Sequence, residues 1–475
     1  MALNMNKISI YNTLSKQKEV FIPISPETVS MYNCGPTVYS KPHIGNMRSY
    51  IFADIIARTF KYNKLNVNQV INITDVGHLT DDGDDGDDKM ETSAQKTGKT
   101  AQEIAEEYTA IFYSYLDALN ISRKAITFTK ATDHIPEQIE MIQKLEKNKH
   151  VYVISDGVYF DTATFPEYGK LGNIHTDDNS QNQRISENTE KRQRQDFAVW
   201  KFSKPGESRQ QEWDSPWGVG FPGWHIECSA MSQKYLGDTF DIHTGGIDHI
   251  PTHHNNEIAQ SESVTGKPQA TYWMHSSHVL IDGKKISKSL GNTLYFEDLE
   301  AKNISPLTYR YWILTADYKT LVNFTWDAVI AADTAFKKLI THLVSFETNA
   351  SGLVNKQYKE KFLAAINDDL NTAAGIAVIW ELLKDSEISS TDKRTTIYDF
   401  DDVLGLNIEA LVSFANKLKN TMTKIPTEVT EIGRKRDEAR KNKDFETADM
   451  LRDEARKLGF DIHDTEKGIV YSEIE

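Results

Sequence analysis

The sequence predicts an α/β protein: a parallel-sheet domain with a connective insert, followed by an all-helical C-terminal domain. Three observations predict it. Residues 27–74 run as an apolar strand, a Gly-containing turn, a helix-patterned stretch and a second apolar strand, which is the βαβ unit of a parallel sheet. A polar, mixed region at roughly 121–200 then breaks the pattern. From about 321 the apolar residues recur at helical spacing almost to the C-terminus.

The elements follow in order. "ETVSMYNCG" is apolar and β-branched and reads as a strand, "GNMRSYIFADIIARTFKYN" carries apolar residues at helical spacing, and "NVNQVINIT" reads as a buried strand. "KTAQEIAEEYTAIFYSYLDALN" is a second amphipathic helix. The region containing "DDNSQNQRISENTEKRQRQ" reads as inserted rather than core, and sheet-like sequence returns with "TFDIHTGG". "FLAAINDDLNTAAGIAVIWELLKD" and "EIGRKRDEARKNKDFETADMLRDEARKLG" are helical. These boundaries give a domain at 1–320 and a helical domain at 321–475. At 475 residues the chain is about three times a typical domain, enough for two or three.

Composition excludes several function classes. No uncharged apolar run approaches the roughly 20 residues of a membrane span, and the first residues hold no apolar signal-peptide core. A soluble, cytoplasmic protein with no membrane partner is expected. The two cysteines, Cys34 and Cys228, rule out a disulfide framework and suit a reducing compartment. A net charge of -15 argues against a protein that coats itself in nucleic acid, so a polyanionic partner requires a local basic patch.

The acidic run "TDDGDDGDDKME" at 80–91 resembles a calcium loop in composition only. With Asp81 at position 1 of an EF-hand, Gly86 falls correctly at position 6, but Gly83 occupies position 3 and Thr92 position 12. A solvated loop or helix start is the expectation. "GGIDHIPTHHNNEIAQSES" is more informative, because His253 and Glu257 stand four apart at a helix start and share one face, while His254 points elsewhere. Two thiols, an imidazole and a carboxylate are all groups that zinc accepts. Nothing in their spacing alone brings the four together. "GKKISKSLGN" (283–292) places Lys285 and Lys288 three apart in a Gly-flanked loop able to carry two ammonium groups onto a polyphosphate.

Paired with "HIGN" at a strand-to-helix turn, that loop resembles the HIGH and KMSKS signatures of class I aminoacyl-tRNA synthetases. "CGPTVYSKPHIGN", "NITD", "DFAVWKFSKPGE", "PGWHIECSAM", "HTGGIDHIPTHHNNEIAQS" and "KISKSLGN" occur in order and together resemble the cysteinyl-tRNA synthetase family over essentially the whole chain. The resemblance implies a Rossmann-like catalytic domain at 1–320 and a tRNA anticodon-binding domain at 321–475. It implies a zinc ion on Cys34, Cys228, His253 and Glu257, and an amino-acid pocket lined by Thr74 and Trp224. ATP, with Mg, is implied to bind at His43, Asn46, Gly245, Asp248 and Lys288, with His43, Lys285 and Lys288 catalytic.

The implied substrates are L-cysteine, ATP and cysteine tRNA, and the family suggests a monomer. Shape alone separates cysteine from serine by only about 1–3 kcal/mol, whereas a zinc-bound thiol ionises and a serine hydroxyl is a poor ligand. Two departures from the family pattern stand out: Asn46 replaces the second His of HIGH, and "NITDVGHLTDDGDDGDDK" is longer than the common "TDIDDK". Residues 434–457 carry nine Lys/Arg against seven Asp/Glu, a bias that fits either a salt-bridged surface or a tRNA contact. The alternative activity is a cysteine-activating ligase that passes cysteine to a small amine; it needs no anticodon module. A zinc-dependent RNA-binding protein would have no use for the paired HIGN and KISKS loops.

Overall fold

In the computed structural model, the structure describes residues 7–77, 79, 88–172, 188–204, 206, 209–287, 290–346, 352–465 and 468–473. Five strands form a wholly parallel sheet. β1 (Thr28–Asn33) leads through α1 (Ile44–Tyr62) to β2 (Asn66–Ile73), and α2 (Ala101–Ala118) precedes β3 (Ile126–Lys130). Later in the chain α3 (Trp224–Leu236), β4 (Phe240–Gly246), α4 (His253–Thr265) and β5 (Ala270–Ser276) complete the layer. The strand order is β3-β2-β1-β4-β5, the Rossmann arrangement, in which the sequence direction reverses between β1 and β4. Register is continuous across that reversal, with Asn33 paired to Ile71 on one side and Thr244 on the other.

Burial explains the elements. Val29, Met31, Tyr32, Val70, Ile71, Ile73, Phe240 and Ile242 are core residues, as expected of strands covered on both faces. α1 is buried nearly all round, through Ile44, Met47, Ile51, Ile55, Ile56 and Phe60. Buried Arg310 ties the helices to the sheet edge, donating to Asp54, to the Leu119 carbonyl and to the Leu404 carbonyl.

The connective region differs from its expected span of roughly 121–200. Ile126–Lys130 belongs to the parallel sheet, pairing Gln69 with Ile126 and Ile73 with Lys130. A separate antiparallel sheet consists of Val151–Ile154, Gly157–Phe160, Phe197–Phe202 and Gly220–Pro222. Its apolar face, with Val158, Phe160, Val199 and Trp200, packs on Ile226 and Ala230 of α3 and Ala259 of α4. The insert thus rests directly on the helices that follow it.

The chain divides into two compact units, residues 1–338 with 347–407, and residues 339–346 with 408–475. The second unit holds the helices Ile408–Lys424, Thr427–Lys441 and Phe445–Lys457. It is helical but ends in a hairpin of Phe460–Thr465 and Gly468–Glu473, around Val429, Ile432, Ala455, Phe460 and Ile462. Much of the charge in 434–457 is paired: Arg434 with Glu431 and Glu438, Arg436 with Asp464, Lys441 with Asp437, and Arg452 and Arg456 with Asp461. Among the described residues, no helix is long and apolar enough to cross a membrane.

The sheet's closest backbone approach yields a prediction. A Cβ on Gly35 would lie 1.5 Å from the Asn72 carbonyl oxygen, so Gly35→Ala must push β1 and β2 apart where they leave the sheet. A loss of more than about 2 kcal/mol is expected. Chemical denaturation checks it, and a wild-type midpoint would show that the two strand ends separate freely.

Candidate active site

Ligands of open parallel sheets collect beyond the strand carboxyl ends where the strand order reverses. Here that place is a cavity of about 490 Å³. Cys34 follows β1, Thr74 follows β2, Gly245 and Gly246 end β4, and Ser276 ends β5, and all of them line it. His43, Asn46, Trp224, Cys228, Asp248, His253 and Lys285 line it as well. Glu257 lies behind the wall with no exposure, and Lys288 falls outside the described residues.

At one end of the cavity stands the start of α1. His43 is its N-cap: its Nδ1 accepts from the Asn46 N–H at 3.2 Å, and its own N–H donates to Asn46 Oδ1 at 3.0 Å. This reciprocal capping box gives the Asn46 side chain a structural task at the helix start. An Nδ1 that accepts leaves the neutral ring's proton on Nε2, so His43 is a donor at that atom. Gly45 lets the 283–292 segment close in, since a Cβ there would sit 2.7 Å from Ile286 Cδ1. The Ile44 N–H donates to the Leu294 carbonyl at 2.9 Å, and Asn292 spans the loop through the Ser287 N–H and the Lys285 carbonyl. Lys285 itself is exposed. Asp248, also exposed, lies 4.0 Å from His278 Nδ1.

The cavity's base is a buried donor cluster. α3 starts after Gly223, where a Cβ would strike the Ala198 carbonyl oxygen at 2.0 Å, and this close docking carries Cys228 inward. α4 supplies His253 and Glu257 one turn apart. One ligand atom from each of Cys34, Cys228, His253 and Glu257 lies within 4.8 Å of all the others. Donors held at about 2.0–2.3 Å around one ion stand no more than about 4.6 Å apart, so this buried S₂NO set needs only a small contraction to hold a metal ion. His253 Nε2 lies 2.9 Å from Glu257 Oε1, and Cys34 Sγ 3.9 Å from the same oxygen.

Electrostatics agree with a site that loads by losing protons. Burial pushes the Cys34 thiol well up, and neighbouring Cys228 adds to this. Cys228 is held lower through its hydrogen bond with Cys34, against the effect of burial. Burial alone would lower His253, but Glu257 and Cys228 hold it at about 10. Glu257 in turn, although burial opposes ionisation, is kept well below the usual carboxylate range by His243 and His253.

Three predicted residues, and His254 beside them, have further neighbours. Trp224 packs against His253 with ring centroids 4.3 Å apart. Thr74 Oγ1 donates to Glu227 Oε2 at 3.0 Å. Gly245 makes room for imidazoles, because a Cβ there would lie 2.7 Å from both His249 Nδ1 and His254 Cε1. His254, expected to point away from His253 and Glu257, instead lies with them: its Nε2 is 3.2 Å from Cys34 Sγ and its Nδ1 2.7 Å from His275 Nε2. The first turns of α4 are buried on every side, so its second face meets the interior too. Cys34, His243, His254 and Glu257 form an overlapping set of possible metal donors.

His225, His243, His249 and His275 were not singled out by sequence. For His243 and His249 the available signal is the density of histidine in "HTGGIDHIPTHH"; His225 and His275 lie outside it. In the acidic run, residues 80–87 lie outside the described residues, while Asp88 caps the helix Lys89–Thr97 and pairs with half-buried Arg209.

Known proteins resemble this chain throughout. Residues 20–334 match the model of the class I (C) tRNA synthetase catalytic domain, 361–409 a DALR domain, and 422–471 a cysteinyl-tRNA ligase anticodon binding domain. The cysteine–tRNA ligase of Treponema denticola is 39% identical, with 96% of this chain and 98% of that one covered. Cysteine–tRNA ligase 1 of Burkholderia lata is 42% identical, with 97% and 96% covered. In fold the chain is similar to Mycobacterium tuberculosis methionyl-tRNA synthetase, with a TM-score of 0.54 at 16% identity over 81% of this chain and 91% of that one. A LeuRS of Agrobacterium radiobacter K84 gives a TM-score of 0.57 at 11% identity, over 82% and 86%.

The buried cluster generates a pH prediction. With Cys34 held as a thiol and His253 as a cation at pH 7, a divalent metal must displace at least two protons. Its affinity therefore rises as pH rises from 6 to 8. Calorimetry in two buffers of different ionisation heat measures the release; no release, or affinity falling with pH, contradicts the assignment.

Proposed function

The chain belongs to the cysteinyl-tRNA synthetase family of class I aminoacyl-tRNA synthetases, and from that premise we propose that it joins L-cysteine to its cognate tRNA through a cysteinyl-adenylate formed with ATP and Mg. The observation that carries this reading is the single cavity: a buried S₂NO donor cluster lies at its base, and His43, Asp248 and Lys285 stand around it. One part suits a thiol and the other a nucleotide.

At the base, Cys34, Cys228, His253 and Glu257 would hold zinc. Bound there, zinc supplies direct coordination of the substrate sulfur, which a serine hydroxyl matches poorly at neutral pH. Trp224, packed on His253, and Thr74, fixed by Glu227, wall the space for the rest of the amino acid.

At the other end the chemistry needs little from the protein. A substrate carboxylate is already ionised at pH 7, so its attack on the α-phosphate of ATP requires alignment and charge stabilisation but no general base. Asp248 accepts from the ribose hydroxyls, as a carboxylate at the reversal point is suited to do. His43 donates from Nε2 to a phosphate oxygen, and Asn46 holds the ring for it. Lys285 and Lys288 bring ammonium groups to the departing pyrophosphate. The tRNA's terminal hydroxyl then attacks the cysteinyl carbonyl of the adenylate, forming the ester as the bond to phosphate breaks and AMP leaves.

Residues 321–475 serve tRNA binding, with unpaired anticodon bases read by the 422–471 region and phosphate contacts adding salt-dependent affinity. The protein works as a cytoplasmic monomer, where Cys34 and Cys228 stay reduced.

ATP–pyrophosphate exchange with cysteine, followed by charging of cysteine tRNA, tests the proposal. Both should proceed, and exchange without charging points instead to transfer onto a small amine. Lys288→Ala is expected to slow exchange by about 10²–10³, the usual effect of losing one transition-state donor, and Lys285→Ala similarly. Cysteine binding should change little, and an unaltered exchange rate in both variants would reduce the loop to a surface turn.

A further inference from the structure

Arg48 lies on α1 five residues beyond His43 and is 2% exposed. Among the described residues its guanidinium donates only to main-chain carbonyls: those of His278 and Thr320 at 2.7 Å, and those of Asp317 and Tyr318 at 3.2 Å. Among the described residues it joins no ion pair within 4.0 Å. Burying a cation without a carboxylate partner is costly, and an apolar side chain would fill the same core more cheaply. The guanidinium remains charged, although burial lowers its pKa.

What the four carbonyls share is their place in the chain. His278 directly precedes β6 (Val279–Ile281), which pairs antiparallel with β7 (Lys284–Lys285) through Leu280 and Lys285. Asp317–Thr320 leads into β8 (Val322–Phe324), which pairs in parallel with β6 through Val279 and Val322. One side chain therefore grips the entry to both parallel strands of the small sheet that carries Lys285. It does so from the helix capped by His43. His278, whose carbonyl takes one of the two short bonds, also faces Asp248 across 4.0 Å.

We propose that Arg48 is a positioning residue that sets the β6–β7 hairpin against the HIGN helix start, so that Lys285 and His43 address one phosphate chain together. The inference rests on the functional reading above. A planar fork with five donors can hold two backbone segments at once; a lysine ammonium, a point donor on a flexible stem, cannot span them.

The test is a double-mutant cycle of Arg48→Lys and Lys285→Ala, read as kcat for ATP–pyrophosphate exchange, with cysteine KM and thermal unfolding followed beside it. Misplacement of reacting groups costs up to about 10² in rate, so Arg48→Lys should lower kcat by about 10- to 100-fold and leave cysteine KM within about twofold. In the Lys285→Ala background the same change should cost less than about twofold, because its effect passes through the missing ammonium. Equal losses in both backgrounds, or a lowered melting temperature with unchanged kcat, overturn the inference alone. An undiminished rate in Lys285→Ala likewise overturns this inference, whereas a wild-type protein without cysteine-dependent exchange overturns the functional reading on which it rests. Should Arg48→Lys fold poorly, Arg48→Gln carries the same cycle.

Discussion

Glu257 is a carboxylate with no solvent exposure, and its neighbours must satisfy it. Two imidazoles do so at 2.9 Å each, His253 on its own helix and His243 on β4, with Gln269 at 3.3 Å. Buried polar groups of this kind lose heavily when a partner is removed, so their geometry constrains every element that contributes one. β1 must end where Cys34 reaches the group, α3 must dock closely enough to deliver Cys228, and α4 must begin at the foot of β4. The reversal of strand order between β1 and β4 opens a crevice beyond the strand ends in which these three requirements meet.

The cavity divides its work by distance from that group. At the base, side chains are buried, neutralised by one another and restrained by rings such as Trp224 and His275. Toward the opening, Asp248 and Lys285 are exposed and meet water. The difference suits the two ends of the proposed reaction: a small side chain has to be discriminated by fixed donors, whereas phosphates require charge brought up on movable segments. Asn46 shows how the two regimes meet, since its side chain caps α1 and holds His43 while the next turns of the helix disappear into the core.

Much of this was legible in the sequence, for physical reasons that also mark the limits. β1, β2 and α1 are nearly all interior, so their apolar patterns are unambiguous. Ile126–Lys130 is an edge strand with alternately exposed residues, and among polar neighbours it read as part of the insert. His254 shows how periodicity fails inside a protein: helical phase separates it from His253, yet a helix end buried on all sides has no outward face. The C-terminal hairpin follows a long helical run and is short, so its period-two pattern was masked. Arg48 was not legible at all, because an arginine on an amphipathic helix reads as solvent-facing unless one knows that four carbonyls converge on it. Asn46 read as an ATP contact that departs from the family's second His; its reciprocal bond with His43 adds a structural purpose.

The central claim is that Cys34, Cys228, His253 and Glu257 form one centre that reads the substrate's sulfur. X-ray absorption at the zinc edge of the purified protein tests it most directly. The account predicts two sulfur neighbours without substrate, from Cys34 and Cys228, rising to three when cysteine is added and remaining at two with serine. A spectrum that cysteine leaves unchanged, or a protein that is fully active without zinc, would contradict it.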